Sequence, residues 1–513
     1  MGFKCKKPNI IKNKFKSSEI GTLGIFLAIG FLFPLGSISV YVTSYIHYSQ
    51  TFVTMHYSYF FYLIINLSSS FSTSFGGILE NKIGFNFTTI LGTIIVLIGN
   101  IFFFKIQNIW ISYGLALIMG IGMGIANSLL IKNLALYVPK KKGFITSIFG
   151  LFQLAFDGIY LITGEKIIAL GGETLKKGQE FYSEEIANRT YYYFMIGFFS
   201  IPVGDIIFLL FTYEYDKTKK GDIIVPQNDN DNKDENIDNN QQKNEENYND
   251  NNTINDSNDE QNEIKDKKIN ENEKKEDEEK NNSKSEENEV TEDLIKKKAK
   301  KMLKTFRFWR LALTVFFLSF SSSFLNIIGR AYGAIIGVKG AALQFLVLVK
   351  AGAIGLFGPF LGCLADKKSP LLVLRISAII NIIPGILLFF FDNNTLVYLI
   401  SFTIMSLGSA AKLVSLNPLL MEIYGIRESV ILGGIIQGVG TLNEIISTVS
   451  AFVISLFYHE TEIEDPYKLI FICGSVSSGL SFILFLFESK KKYDIDDESD
   501  KLIDNEKIEQ ENV

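Results

Sequence analysis

Five ionisable side chains stand inside long apolar runs of this 513-residue chain: Asp157, Asp205, Lys350, Lys412 and Glu444. A charge placed in hydrocarbon costs about 3 kcal/mol or more unless it finds a partner or faces a wet cavity, so each is a candidate for function. A lysine in such a place can hold a carboxylate. A carboxyl whose surroundings raise its affinity for protons can carry one. Lys350 and Lys412 suit the first task, Asp157 and Glu444 the second, and Lys350 can also pair with Glu444. Counted at about 1.5 Å per residue, Lys350 and Glu444 fall near the middle of their runs. Lys412 and Asp205 fall toward one end and Asp157 toward the other. Arg330 closes its run and can snorkel to the edge. Tyr41 and Tyr45 in the first run can pack a small organic molecule or simply fill a core.

Other chemistries have little to work with. Cys5, Cys363 and Cys473 are far apart, and His47, His56 and His459 show no ligand spacing. No metal site, disulfide framework or cofactor is expected from them. No nucleophile–base set appears, so the chain is not expected to be an enzyme. No nucleic-acid partner is expected either.

The elements that must position these charges are apolar blocks of roughly 20 residues, the length that crosses a bilayer core. Twelve such spans are expected, at 20–46, 57–79, 87–105, 109–131, 143–164 and 191–213, then 309–330, 340–362, 371–391, 396–423, 429–457 and 467–487. The fold class is therefore an all-α membrane protein of two six-helix bundles, residues 20–213 and 306–488. A basic segment, 1–19, precedes them and an acidic tail, 489–513, follows. Between the bundles, 214–305 is dense in Asn, Asp, Glu and Lys and cannot bury enough apolar surface to fold, so it is expected to be disordered. Lys82, Lys140–Lys142, Lys367–Lys368, Arg427 and Lys490–Lys492 fall on alternate loops with the basic N-terminus. Positive charge marks the cytoplasmic side, which puts both termini and the linker there. The acceptor triplets Asn188-Arg189-Thr190 and Asn393-Asn394-Thr395 then fall on outward loops. Lys296–Lys304, next to the seventh span, can lie against an anionic leaflet. Met1-Gly2 and Cys5 make only a faint lipidation signal, since Lys6 stands where a hydroxyl residue is expected.

Two loops carry a repeated motif. Gly77-Ile78-Leu79-Glu80-Asn81-Lys82-Ile83-Gly84 follows the second span, and Gly362-Cys363-Leu364-Ala365-Asp366-Lys367 follows the eighth. Both resemble the loop signature of the major facilitator superfamily, Gly-x-Leu-x-Asp-Arg/Lys-x-Gly. The resemblance implies a tight turn in which Asp366 and Lys367 bridge helix ends. Asn81 replaces the acid in the first copy, which weakens that bridge. Gly120-Ile121-Gly122-Met123-Gly124, followed by Tyr137-Val138-Pro139-Lys140-Lys141-Lys142-Gly143, is similar to the oxalate:formate antiporter and monocarboxylate porter branch. Asn417-Pro418, Tyr424-Gly425, Gly433-Gly434 and Phe306-Arg307-Phe308-Trp309 extend the likeness. The glycines themselves read first as packing residues.

The resemblance implies the major facilitator fold and secondary transport by alternating access. By it, Asp157, Lys350, Lys412 and Glu444 belong to spans that line the central path, whereas Asp205 lies on a peripheral span and reads as structural. The expected substrate is a small organic anion such as lactate, pyruvate or pantothenate, moved with protons or by exchange through a monomer in a lipid bilayer. The branch's oxalate carriers have a lysine a few residues after the glycine pair of span eleven, where this chain reads Gly434-Ile435-Ile436-Gln437-Gly438-Val439-Gly440 with no lysine. Its monocarboxylate porters have an arginine in span eight, where this chain reads Gly358-Pro359-Phe360. Oxalate exchange is therefore not expected, and Lys350 can take over the anion site. A carrier of another solute, such as an amino acid or nucleoside, and a non-transporting sensor acting through the linker stay open.

Overall fold

The computed structural model describes residues 7–103, 107–169, 181–213, 297–335, 349, 352–391, 394–426, 428–461 and 466–488. Lys350, Asn393, the first six residues and almost all of 214–305 lie outside them. The account concerns one compact unit, Met1–Ile224 with Lys298–Val513.

The described residues fold into helices. In the first half these are α1 (Lys7–Ile29), α2 (Leu35–His47), α3 (Ser58–Ile83), α4 (Phe85–Phe103), α5 (Ile109–Tyr137), α6 (Lys142–Ile168), the short α7 (Glu184–Asn188) and α8 (Thr190–Phe211). A short helix, α9 (297–303), precedes α10 (Phe306–Ile335). A π-helical stretch, Ala353–Phe357, then leads into α11 (Gly358–Lys367). The chain continues through α12 (Pro370–Phe390), α13 (Thr395–Tyr424), α14 (Glu428–Thr461) and α15 (Pro466–Leu486). Span one is α1 plus α2, span eight ends in α11, and the layout is that of a twelve-span protein in two six-helix bundles.

Nine described helices are long and apolar enough to cross a membrane by length and composition. α3 is not one of them, because its stretch from Asn66 to Ser74 is mostly serine and threonine. Phe87, Ile94, Phe102, Phe199 and Leu210 are exposed apolar side chains, a surface that suits lipid tails. One buried core gathers the first-half helices and another gathers α9, α10 and α12–α15.

Span one is not the continuous helix expected over 20–46. Pro34 has no N–H to give, and its ring would crowd the carbonyl four residues back. The chain therefore tightens into a 3-10 turn at Gly30–Leu32, and the ladder restarts with the Ile38 N–H on the Pro34 carbonyl at 3.0 Å.

Apolar tails on all sides remove the usual hydrophobic drive between membrane helices, so close backbone packing must hold them together. α1 and α8 show how near they come: a Cβ on Gly24 would sit 2.5 Å from the Gly204 carbonyl oxygen. Two turns need a left-handed backbone that only glycine adopts freely. Gly84 (φ 83°) reverses the chain from α3 to α4, and Gly425 (φ 91°) does so before α14.

Candidate functional site

A cavity of about 390 Å³ lies between the two bundles. Side chains of α3, α5 and α6 form one wall, and those of α10, α13 and α14 the other. Leu32, Phe33 and Leu35, at the break in span one, also reach it. The break puts the first turn of α2, with its unshared N–H groups and positive dipole end, beside the cavity.

Three of the charges singled out from the sequence come together here. Asp157 of α6, Lys412 of α13 and Glu444 of α14 all line the space. Lys412 Nζ lies 3.1 Å from Ser319 Oγ of α10. Glu444 is buried, with 8% of its surface exposed. Tyr41 lies elsewhere, buried and with its ring 4.4 Å from that of Tyr182. Asp205 is also elsewhere, on α8, where Thr93 of α4 donates to its Oδ2 at 3.0 Å. Lys350 belongs to the residues not described, just before the π-helical stretch. That stretch packs against α6 and α13, two walls of the cavity.

Sequence reasoning passed over the uncharged polar side chains of the same walls. Asn66, Asn127, Gln153, Asn417 and Gln437 line the cavity with several serines and threonines. Gln437 donates to Asn417 at 2.9 Å. The Asn127 carbonyl oxygen is buried with no hydrogen-bond partner among the described residues. A buried acceptor of this kind ordinarily finds a donor, from water or ligand. The signal was present as carboxamides inside apolar runs, but only ionisable groups were weighed there.

The loop motifs sit where the two halves meet. Asp366, at the end of α11, accepts the backbone N–H groups of Gly143 (2.7 Å) and Phe144 (2.9 Å). It thereby caps the N-terminus of α6, a helix of the other half, where orphan donors and the helix dipole favour an anion. Burial raises the Asp366 carboxyl above its ordinary value, and the two N–H donors with Lys141 and Lys142 pull it back down. Gly362 and Gly143 make this approach possible: a Cβ on either would lie 2.5 Å from the other's carbonyl oxygen. Lys367 and Lys82 are exposed.

The first motif works differently. Gly77 packs on Val430 and Ile431 of α14, and Ser74 Oγ donates to the Ile431 carbonyl at 2.8 Å. The acid one residue before Asn81, Glu80, pairs with Lys132 of α5 at 2.5 Å, both nearly buried. So the charge bridge of this copy stays within the first half. At the opposite end of the same helix pair, Phe452 of α14 packs against Tyr57 and Phe60, with ring centroids 6.5 and 5.7 Å away.

Residues 311–507 match the family description Major Facilitator Superfamily. No curated protein sequence matches the chain. Among solved structures, the chain is similar to the proton:xylose symporter XylE at 12% identity and a TM-score of 0.62, over 93% of this chain and 95% of that one. It is similar to the human organic anion transporter MFSD10, also at 12% identity, with a TM-score of 0.55 over 93% and 99% of the two chains. The fucose:proton symporter FucP of E. coli is a third, at 12% identity and 0.57 over 92% and 100%. These likenesses speak for fold alone. The second half of the chain matches the superfamily's own sequence description, and the chain as a whole is similar in fold to solved structures of that superfamily.

Proposed function

We propose that the protein is a proton-linked carrier of a small organic anion, in the size range of a monocarboxylate, working by alternating access. The observation behind this reading is Lys412 on the cavity wall, with Asp157 and Glu444 around the same space. A carboxylate entering that space needs a cation, and Lys412 supplies one. Among the described lining residues, these three charges sum to one formal negative charge. Admitting an anion therefore favours taking up a proton on one of the carboxyls, which makes the combined step electroneutral. That is symport logic, and it gives Glu444 and Asp157 their role. The midplane, between the halves, is where such carriers bind.

The test is uptake of labelled carboxylates into proteoliposomes, with and without an inward proton gradient. Lys412→Ala is expected to cut gradient-driven uptake at least tenfold. Glu444→Gln is expected to leave exchange measurable while removing the gradient's effect. Lys350→Ala belongs in the same series, because its place in the sequence makes it the other candidate cation. Correctly inserted protein that moves no carboxylate would overturn the anion reading.

A second reading rests on the five carboxamides and the unsatisfied Asn127 oxygen. Carboxamides both give and accept hydrogen bonds, which suits a neutral hydroxylated solute. The xylose and fucose symporters carry that chemistry by name, as MFSD10 carries the anionic one. Competition separates the two: a pentose or nucleoside that blocks uptake where carboxylates do not would favour the second.

A further inference from the structure

We propose that residues 298–310 form a docking site for anionic phospholipid headgroups of the adjoining leaflet. Composition assigns most of this stretch to the linker, yet α9 is packed. Ala299 and Met302 are each only 5% exposed and belong to the core that also holds Phe308. Lys300, Lys301 and Lys304 are exposed. The helix thus has one face fixed to the bundle and a basic face turned away from it.

The joint to α10 is held firmly. Thr305 Oγ1 donates to the Met302 carbonyl at 2.6 Å, and the Trp309 indole N–H donates to the Leu303 carbonyl at 2.8 Å. Phe306 and Trp309 nevertheless present most or half of their surface to the outside, 79% and 51%. Aromatic rings concentrate where hydrocarbon meets headgroups. That places the lysines of α9 at headgroup level.

Arg307 and Arg310 add to the charge. They share a single carboxylate, Glu488, at 2.7 and 2.9 Å. Arg310 Nε is buried with no hydrogen-bond partner among the described residues. Among the described residues, Lys300, Lys301, Lys304, Arg307 and Arg310 thus gather at this corner around Glu488. A fixed, aromatic-flanked cationic surface at the edge of a bilayer complements an anionic headgroup layer. Each lysine held near such a surface adds to the attraction, which salt screens within about 10 Å.

Trp309 is one of only two tryptophans, so Trp110→Phe makes it the sole reporter. Full-length protein carrying that change would be reconstituted in phosphatidylcholine with a small fraction of brominated lipid, either phosphatidylserine or phosphatidylcholine. The brominated anionic lipid is expected to quench Trp309 several-fold more at equal mole fraction. The preference should fade at high salt and fall close to equal quenching in K300Q/K304Q. The same variant should keep the parent's Tm in neutral lipid, since both side chains are exposed. Equal quenching by the two lipids overturns the proposal, as does a preference that K300Q/K304Q leaves intact. If these lysines instead hold the acidic linker, the variant changes cleavage of the linker by added protease and not the lipid preference, which also overturns it.

Discussion

Asp366 shows how much one side chain can hold. Its two oxygens each take a backbone N–H from the opposite half, and hydrogen bonds to a charged acceptor contribute roughly 1.5 to 3 kcal/mol each. Asp366→Ala is expected to shift the balance at least tenfold toward a state open on the motif side. A cysteine placed at Thr146, inside the cavity, would then react faster with a membrane-impermeant thiol reagent added from that side. Asp366→Asn should fall between, since an amide oxygen still accepts but carries no charge. Glu80 and Lys132 give a second prediction. Removing one partner of a buried pair leaves a stranded charge and costs about 3 kcal/mol or more. Lys132→Met should therefore lower the Tm of the purified protein by several degrees, and Glu80→Leu in the same chain should restore most of it. The cavity-lining charges were legible because each interrupts an apolar run. Lys132 was not, because the fourth span was expected to end at 131, whereas α5 runs on to Tyr137. That put a buried lysine among loop residues.

Elements explain what the residues alone do not. The α6–α11 contact depends on Gly143 and Gly362 lying backbone to backbone. Gly362→Val would push a branched side chain against the Gly143 carbonyl. It should open the motif side much as Asp366→Ala does, without touching any charge, and the same thiol assay reads it. The number and order of spans were readable from block length, and the paired loop motifs gave the two halves. The break in span one was not read, although Pro34 stands in plain view. Proline is tolerated in membrane helices when neighbours satisfy the freed groups, so its presence alone did not fix the outcome. The cavity-facing serines of α3 hid that span from a hydropathy criterion for the same reason that they line a site.

At the scale of the whole molecule, two similar halves meet through seams of unlike chemistry. α6 meets α11 through a carboxylate and helix-end N–H groups. α3 meets α14 through a neutral hydroxyl–carbonyl bond and tight packing. We propose the orientation that the lysine-bearing loops suggest, in which an epitope inserted in the linker is reached by antibody only after the membrane is permeabilised. An epitope beside Asn188 should be reached without it. An opposite result would reverse the sidedness of every statement about the motif end.

Span one ties these scales together. Its two pieces have different companions: α1 lies along α8, and α2 lies along α3 and α7. A rigid rod gripped at both ends would transmit any tilt of one end to the other. The interruption at Gly30–Pro34 makes the rod a jointed one. Strain arising near the cavity can be absorbed by a few soft torsions, leaving α1 seated. Compliance is thus concentrated beside the cavity, and the rest of the bundle can stay stiff.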